Sequence, residues 1–549
     1  MSLPNKKILP LGMDDFRLLR TSKKESYYID KTLMIKDFLD YSNYVTLITR
    51  PRRFGKTLNM TMIRDFFDIT QKSQEIFEGL AIMDTEYASE INRVPVISLS
   101  LKGCQGDTLE NLKASLASEI RKEYVKYETI FKNVDQSIFT YEIFFKILKG
   151  LKSKTWDDLD LQNSLAYLLE ALFTFYNVRP ILLIDEYDNP IIEAHTQGFR
   201  REFTSFYGTF LTMALKGNPH LGQALLTGIQ RVAKESIFSK LNNVVIYNVL
   251  DEKYAPYFGL SSEETAALLS HYDLTLTEEV KKRYNGYVFG GLEMYNPWSI
   301  LSYANKKKLQ NFWLKTSTNA LIKECVLDAD QEFYESFDTL IERGEADITL
   351  NLEASFAELP RADTLWGLLV NAGYLTVIHE DYDFYSFIVR IPNEEIKAEF
   401  QEIVGSYTNL SSQKLKNMLR ALINGNITDF LKIYQELVIH STSYYDAREN
   451  AYHMLMLGMV MNLSDIYEIS SNIESGHGRA DLIMKSKDVK RPHIIIEFKQ
   501  GEALEMLAQD ALKQIKDNEY YSGLSGEVLC LGIAHFKKKC KLVSELIHL

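Results

Sequence analysis

The apolar positions of the chain fall into two alternating patterns. Tyr44-Val45-Thr46-Leu47-Ile48-Thr49 is a short β-branched run closed by Arg50-Pro51, and it predicts a buried strand. From Lys56 the period changes: Leu58, Met62, Ile63, Phe66 and Phe67 recur at helical spacing. Val94 to Leu101 predicts a second strand, Ile181 to Ile184 a third, Ala224 to Thr227 a fourth and Val244 to Val249 a fifth. Residues 109–126 and 161–176 read as helices. Strands that are apolar along their whole length and alternate with helices predict a parallel sheet covered on both faces. Residues 1–250 are therefore expected to form one α/β domain.

The pattern then changes. Residues 262–284 and 330–343 predict polar-faced helices, with turns at Asn285-Gly286-Tyr287 and Tyr295-Asn296-Pro297-Trp298. A helix over Leu365 to Leu369 and strands over Tyr374 to Ile378 and Tyr385 to Ile391 suggest a winged-helix-like unit, so 251–411 reads as a helical lid and winged-helix-like middle region. Helices return from about residue 412 up to Met461. Ala480 to Met484 and His493 to Lys499 read as strands around a Lys-rich turn, followed by a helix over Glu502 to Lys516 and a last strand over Val528 to Ile533. This α-β-β-α-β order makes 412–549 a separate α/β domain.

Composition narrows the class. With 46% hydrophobic and 25% charged residues, the chain is no disordered tract, collagen or coiled-coil rod. Its net charge of −12 gives no global attraction for nucleic acid, so such a partner needs a local basic patch. Arg479, Lys485, Lys487, Lys490 and Arg491, with Lys537-Lys538-Lys539-Cys540-Lys541 further on, could supply one or could simply be solvated. Cys104, Cys325, Cys530 and Cys540 form no CxxC pair. Few thiols and a first segment without an apolar h-region lead us to expect a reducing cytoplasm. No apolar run approaches the ~18 residues of a membrane span, so no membrane partner is expected.

Residues 50–57, Arg-Pro-Arg-Arg-Phe-Gly-Lys-Thr, sit between the first strand and its helix. Gly55, Lys56 and Thr57 fit the end of the phosphate-loop pattern GxxxxGK[ST], but Arg50 stands where the first glycine should be. Without that glycine the loop must take another path. Arg52, Arg53 and Phe54 fill the loop; its backbone N–H groups would cradle the phosphates of ATP, Lys56 would reach the β and γ phosphates, and Thr57 would hold Mg2+. Asp185 ends the third strand 128 positions after Thr57, with one strand between them, as in the additional-strand class of P-loop ATPases. Asp185 would join the Mg2+ shell and Glu186 would polarise the attacking water. Thr227 could sense the γ-phosphate. Arg231 is a candidate charge stabiliser or, equally, a solvated helix charge.

A second constellation lies near the end. Glu497 and Lys499 are two apart on a strand and share a face, while Ile496 and Phe498 point into the core. Asp481, 16 positions before Glu497, falls beside them if the strands pair as a hairpin. Two carboxylates can hold Mg2+, and Lys499 can orient or deprotonate a water or stabilise phosphorane charge. The same three residues could also be a surface ion pair. Glu449 and Gln514 are further candidates, whereas His453 and His477 read as structural.

Together these motifs resemble a bacterial family that pairs an AAA-ATPase-like N-terminal domain with a C-terminal PD-(D/E)XK nuclease-like domain. The resemblance rests on Tyr28-Ile29-Asp30-Lys31-Thr32, the Arg50 to Thr57 run, Leu183-Ile184-Asp185-Glu186-Tyr187-Asp188-Asn189-Pro190, Tyr284-Asn285-Gly286-Tyr287, Tyr295-Asn296-Pro297-Trp298, Gly478-Arg479-Ala480-Asp481 and Ile496-Glu497-Phe498-Lys499. It implies an ASCE-type P-loop fold, a restriction-endonuclease-like core, ATP and Mg2+ as cofactors, and the missing first glycine as a family trait. The expected activity is an ATP-binding or ATP-hydrolysing protein coupled to a Mg2+-dependent nuclease acting on nucleic acid, DNA before RNA. The alternative is a signalling-type ATPase whose nuclease-like domain binds nucleic acid or a partner without cleaving. Oligomers are compatible with either. Asp30-Lys31 would lie near the base or ribose, or only cap a helix.

Overall fold

The computed structural model describes residues 6–230, 243–313, 331–353, 361–381, 383–398, 412–440, 456, 459–460, 463, 466–537 and 539–549. These fall into two compact units. One holds the described residues up to Trp313 and those of 349–385; the other holds those of 329–348 and 386–549.

The first unit is built on β1 (Val45–Thr49), β2 (Val96–Ser100), β3 (Ile181–Asp185), β4 (Gln223–Gly228) and β5 (Val244–Tyr247), in the spatial order β2-β3-β4-β1-β5. All four pairings are parallel. β4 thus lies between the strand that precedes the phosphate loop and the strand that ends in Asp185, which is the additional-strand arrangement of a P-loop α/β domain. β1 and β3 are buried at all five positions each, as strands covered on both faces must be. Helices Leu109–Glu128, Asp158–Tyr176 and Arg200–Leu215 pack their apolar stripes onto this sheet around Leu47, Leu99, Leu182, Ile184 and Leu226.

Two local readings change. Helix Phe139–Ser153 was not among the expected elements; its buried Tyr141, Phe144, Ile147, Leu148 and Leu151 carry a helical period diluted by intervening lysines. The span 262–284 is two helices, Ser262–His271 and Glu278–Tyr284. Asp273 takes a left-handed φ of +58°, which ends the first, and Ser261 and Thr277 each cap a new N-terminus. Beyond them come the hairpin β6 (Tyr287–Phe289) with β7 (Leu292–Met294), helix Pro297–Lys306, helix Ala362–Ala372 and β9 (Thr376–Asp381).

The second unit contains β8 (Glu345–Ile348) antiparallel to β10 (Ser386–Arg390), helices Ser412–Ile423 and Ile427–His440, and a five-stranded mixed sheet. That sheet runs β11 (Tyr467–Ser475), β12 (Gly478–Ser486), β13 (His493–Gln500), β14 (Glu527–Phe536) and β15 (Lys539–His548) in chain order. Only β13 and β14 are parallel, and helix Leu504–Asp517 makes the crossover that a parallel pair requires. The outer strands β11 and β15 correct the expected α-β-β-α-β order. Both are edge strands interrupted by polar residues, Ser and Glu in β11 and Lys, Ser and Glu in β15, so their sequences lack the continuous apolar run that marks β13 and β14.

Candidate functional site

At the carboxyl ends of β1, β3 and β4, two hydroxyl side chains meet on one carboxylate. Asp185, 4% exposed, accepts hydrogen bonds from the Thr57 hydroxyl on Oδ2 (2.6 Å) and from the Thr227 hydroxyl on Oδ1. Thr57 stands in the first turn of the helix Lys56–Phe67, and Thr227 is brought in by the β3–β4 pairing. The helix begins at Gly55 with no side-chain cap, so its first N–H groups are left to a ligand or to water. The Lys56 ammonium is buried and donates to the backbone carbonyls of Arg50 (2.8 Å) and Pro51 (2.9 Å). Burial pulls its pKa down, opposed by the nearby carboxylates of Glu186 and Asp185. Burial likewise raises the pKa of Glu186, and Lys56 opposes it. Hard oxygen donors on Thr57 and Asp185 beside this ammonium fit a magnesium–nucleotide pair by donor chemistry.

The path the loop takes without its first glycine is now visible. Left-handed backbone falls at Arg53 (φ +69°) and Gly55 (φ +87°), not at residue 50. Arg50 directly follows β1, its N–H bonded to Gly228 O at 3.2 Å. Its guanidinium is fully buried, 5.5 Å from each of the Phe258 and Phe289 rings, and donates to Thr49 O and Tyr247 O, while Nε and Nη2 have no hydrogen-bond partner among the described residues. Burial lowers its pKa to about 10. Arg53 lies 4.8 Å over the Trp298 ring and donates to Phe312 O; Phe54 meets the edges of Tyr287 and Phe289. Of the loop's three arginines, Arg52 is the one left beside Lys56 and Glu186. Side-chain anchors thus replace the glycine, and the turns at Asn285-Gly286-Tyr287 and Asn296-Pro297-Trp298 form their receptor. No single-motif reading of the sequence links these segments.

The Asp30-Lys31 pair is architectural. Asp30 accepts from the N–H and hydroxyl of Thr32 and from Ala81 N, and Lys31 pairs with Glu264 (2.5 Å) and donates to Pro256 O (2.7 Å). Arg231, Glu449, His453 and Lys538 lie outside the described residues.

In the second unit β12 and β13 pair antiparallel, with Leu482 opposite Ile496, so Asp481 stands beside Glu497. The two are cross-linked: Asp481 N donates to Glu497 Oε2 (3.3 Å), and Phe498 N donates to Asp481 Oδ2 (2.7 Å). Lys499 Nζ is 3.5 Å from Glu497 Oε1, and Gln514, from the crossover helix, donates its amide to the same oxygen. Glu497 is 2% exposed. Burial, then the Asp481 charge, push its pKa well above the ordinary range, with Lys499 opposing. Among the described residues no cluster of three or more Asp, Glu, His or Cys forms a closed metal cage. Two converging carboxylates, Glu497 with its proton affinity raised, are nonetheless a donor set that a divalent cation suits, because it neutralises the repulsion between them. Within the expected basic patch, Arg491 is paired with Asp488 (3.7 Å) and Lys541 with Glu505 (2.8 Å).

Comparison with known proteins follows this division. Residues 10–238 match a family described as predicted AAA-ATPase, and residues 447–545 match the PD-(D/E)XK nuclease superfamily. An uncharacterized protein in the vnfD 5' region of Azotobacter chroococcum mcd 1 is 24% identical over 538 residues, covering 94% of this chain and 93% of that protein. Among the described residues no helix is long and apolar enough to cross a membrane. The chain combines an AAA-ATPase-like domain with a C-terminal PD-(D/E)XK nuclease-like domain.

Proposed function

We propose that the protein hydrolyses ATP at its first site and cleaves phosphodiester bonds of nucleic acid, DNA before RNA, at its second. One observation carries the reading: in both units acidic oxygens and an ammonium converge at a buried strand, Asp185 with Lys56 and Glu497 with Lys499. Thr57 and Asp185 in one site, and Asp481 and Glu497 in the other, would hold Mg2+, which supplies charge neutralisation on phosphate oxygens and a lower pKa for bound water. Lys56 would exchange its loop carbonyls for the terminal phosphates, with Arg52 beside it. Glu186, already drawn toward protonation by burial, would take the proton of the attacking water. Lys499 would orient the nucleophile at the second site. The three-part division at about residues 250 and 411 belongs to this reading.

The non-cleaving switch is favoured by one feature: both Glu497 oxygens already have protein donors, Asp481 N on one and Gln514 on the other. A plasmid and single-strand cleavage assay with Mg2+ or Mn2+ decides. Cleavage lost in Lys499→Ala supports the nuclease; equal cleavage by wild type and Lys499→Ala ends it, and ATP turnover with no cleavage under either metal selects the switch.

A further inference from the structure

We infer that Asp188 is a positioning residue that locks the water-polarising turn and the end of β4 into one piece. The inference rests on the ATPase reading above. Asp188 is buried, and its Oδ2 accepts two backbone hydrogen bonds, from Ile229 N and Gln230 N, both at 2.9 Å. Its neighbour Tyr187 adds two more links to the same segment: Tyr187 N donates to Thr227 O (3.0 Å), and the Tyr187 hydroxyl donates to Gln230 O (2.7 Å). Tyr207 donates to Tyr187 O at 2.9 Å and holds the turn from behind. Four bonds therefore staple residues 187–188 to residues 227–230.

The staple reaches all three parts of the site. Glu186, with a left-handed φ of +53°, sits immediately before it, so its backbone is fixed by what Tyr187 and Asp188 hold. Thr227, which donates to Asp185, is one of its anchor points. Gly228, between the anchors, accepts from Arg50 N and so ties in the phosphate loop. A Cβ at Gly228 would lie 2.8 Å from Asp188 Oδ1 and 2.8 Å from the Tyr187 ring, so the approach is closed to any larger residue. A buried carboxylate is costly unless it is hydrogen-bonded, and this one spends Oδ2 on backbone N–H groups rather than on a cation. Asp188 does not replace Glu186 or Lys56 in the chemistry; it sets where they stand.

The test uses the full chain, with steady-state ATP hydrolysis, binding of a fluorescent ATP analogue, and thermal melting. Asp188→Ala is expected to lower kcat on the order of ten- to a hundredfold, the cost of a misplaced reacting group, with KM and analogue affinity nearly unchanged. Asp188→Asn keeps an acceptor oxygen in place and is expected to recover most of the rate. Gly228→Ala, which drives a methyl group into the same contact, should reproduce the kcat loss; it carries the test if Asp188→Ala does not fold. Wild-type kcat in Asp188→Ala or in Gly228→Ala overturns the inference, as does equal loss in Asp188→Ala and Asp188→Asn, or a change confined to KM. A wild-type protein that turns over no more ATP than Lys56→Ala sinks the ATPase reading itself, and so is told apart from failure of the inference alone.

Discussion

The two candidate sites use the same ingredients and balance them differently. Around Asp185 the partners are neutral: two threonine hydroxyls bond its oxygens, and the nearby ammonium rests on loop carbonyls. Around Glu497 a second carboxylate lies across the hairpin, and one ammonium 3.5 Å away on one side does not offset it. In the first arrangement the Asp185 oxygens are satisfied by hydrogen bonds, and a ligand enters by their exchange. The second stores like-charge repulsion in a buried place, so a divalent cation or a proton relieves it. Preorganisation by backbone and hydroxyls costs the folded state little; preorganisation by paired carboxylates makes folding and metal binding one linked equilibrium.

The largest effect should come from the ammonium groups, where the two sites are most alike. Lys56→Ala is expected to reduce ATP hydrolysis by on the order of 10²–10³-fold, the usual loss when a preorganised charge donor is removed. Its fold should survive, because Lys56 contributes only two bonds to loop carbonyls that Arg50, Arg53 and Phe54 already anchor. Radioactive or coupled-enzyme ATPase assays check it, and unchanged turnover would remove Lys56 from the site. Lys499→Ala should reduce plasmid cleavage by about 10²-fold. It should also tighten proton binding at Glu497, since the opposing ammonium is gone.

A smaller effect separates the sites. Glu497→Gln removes the repulsion between Glu497 and the half-buried Asp481, but its amide N–H2 must then face either Asp481 N or the Gln514 amide, so the metal-free second unit should be stabilised by at most about 1 kcal/mol. The same variant should lose the rise in melting temperature that Mg2+ gives the wild type. Asp185→Asn should go the other way, because an amide N–H2 placed against a threonine hydroxyl forces one of the two bonds to re-form or break. Melting curves in chelator and in Mg2+ for both variants measure the contrast; stabilisation in both, or in neither, would break it.

What the sequence disclosed follows the same physics. β1, β3 and β13 were legible because a strand buried on both faces must be apolar throughout, and the carboxylates stood out because they end or interrupt such runs. Glu497 beside Asp481 followed from the period of two and the length of the turn. The edge strands β11 and β15 were not legible, since an edge needs no apolar run. The receptor of the phosphate loop was also hidden: that Phe54 meets Tyr287 and Arg53 meets Trp298 is a long-range fact, and spacing within a motif carries no information about which distant motif it touches. The staple of Asp188 belongs to the same class, because a buried acid in an acidic motif looks from sequence like another metal ligand.

A last effect, absent at neutral pH, concerns acid sensitivity behind the second site. His535 on β14 is 1% exposed, shares a 2.8 Å hydrogen bond with the Tyr434 hydroxyl, and lies against the Phe498 ring at 5.8 Å, on the strand that carries Glu497 and Lys499. Burial lowers its pKa from 6.5 to about 3. In the unfolded chain the imidazole takes a proton near its ordinary pKa, whereas in the folded unit it stays neutral until much lower pH. The stabilisation this gives is complete above pH 6.5 and is lost as pH falls from there toward about 3, at up to about 1.4 kcal/mol per pH unit. His535→Gln removes the titration while keeping a polar partner for Tyr434. The comparison is therefore between two slopes: denaturant unfolding of the wild type from pH 7 to 4 should lose stability faster than that of His535→Gln, and since other acid-sensitive groups are common to both proteins, parallel curves would show that this histidine is not held neutral.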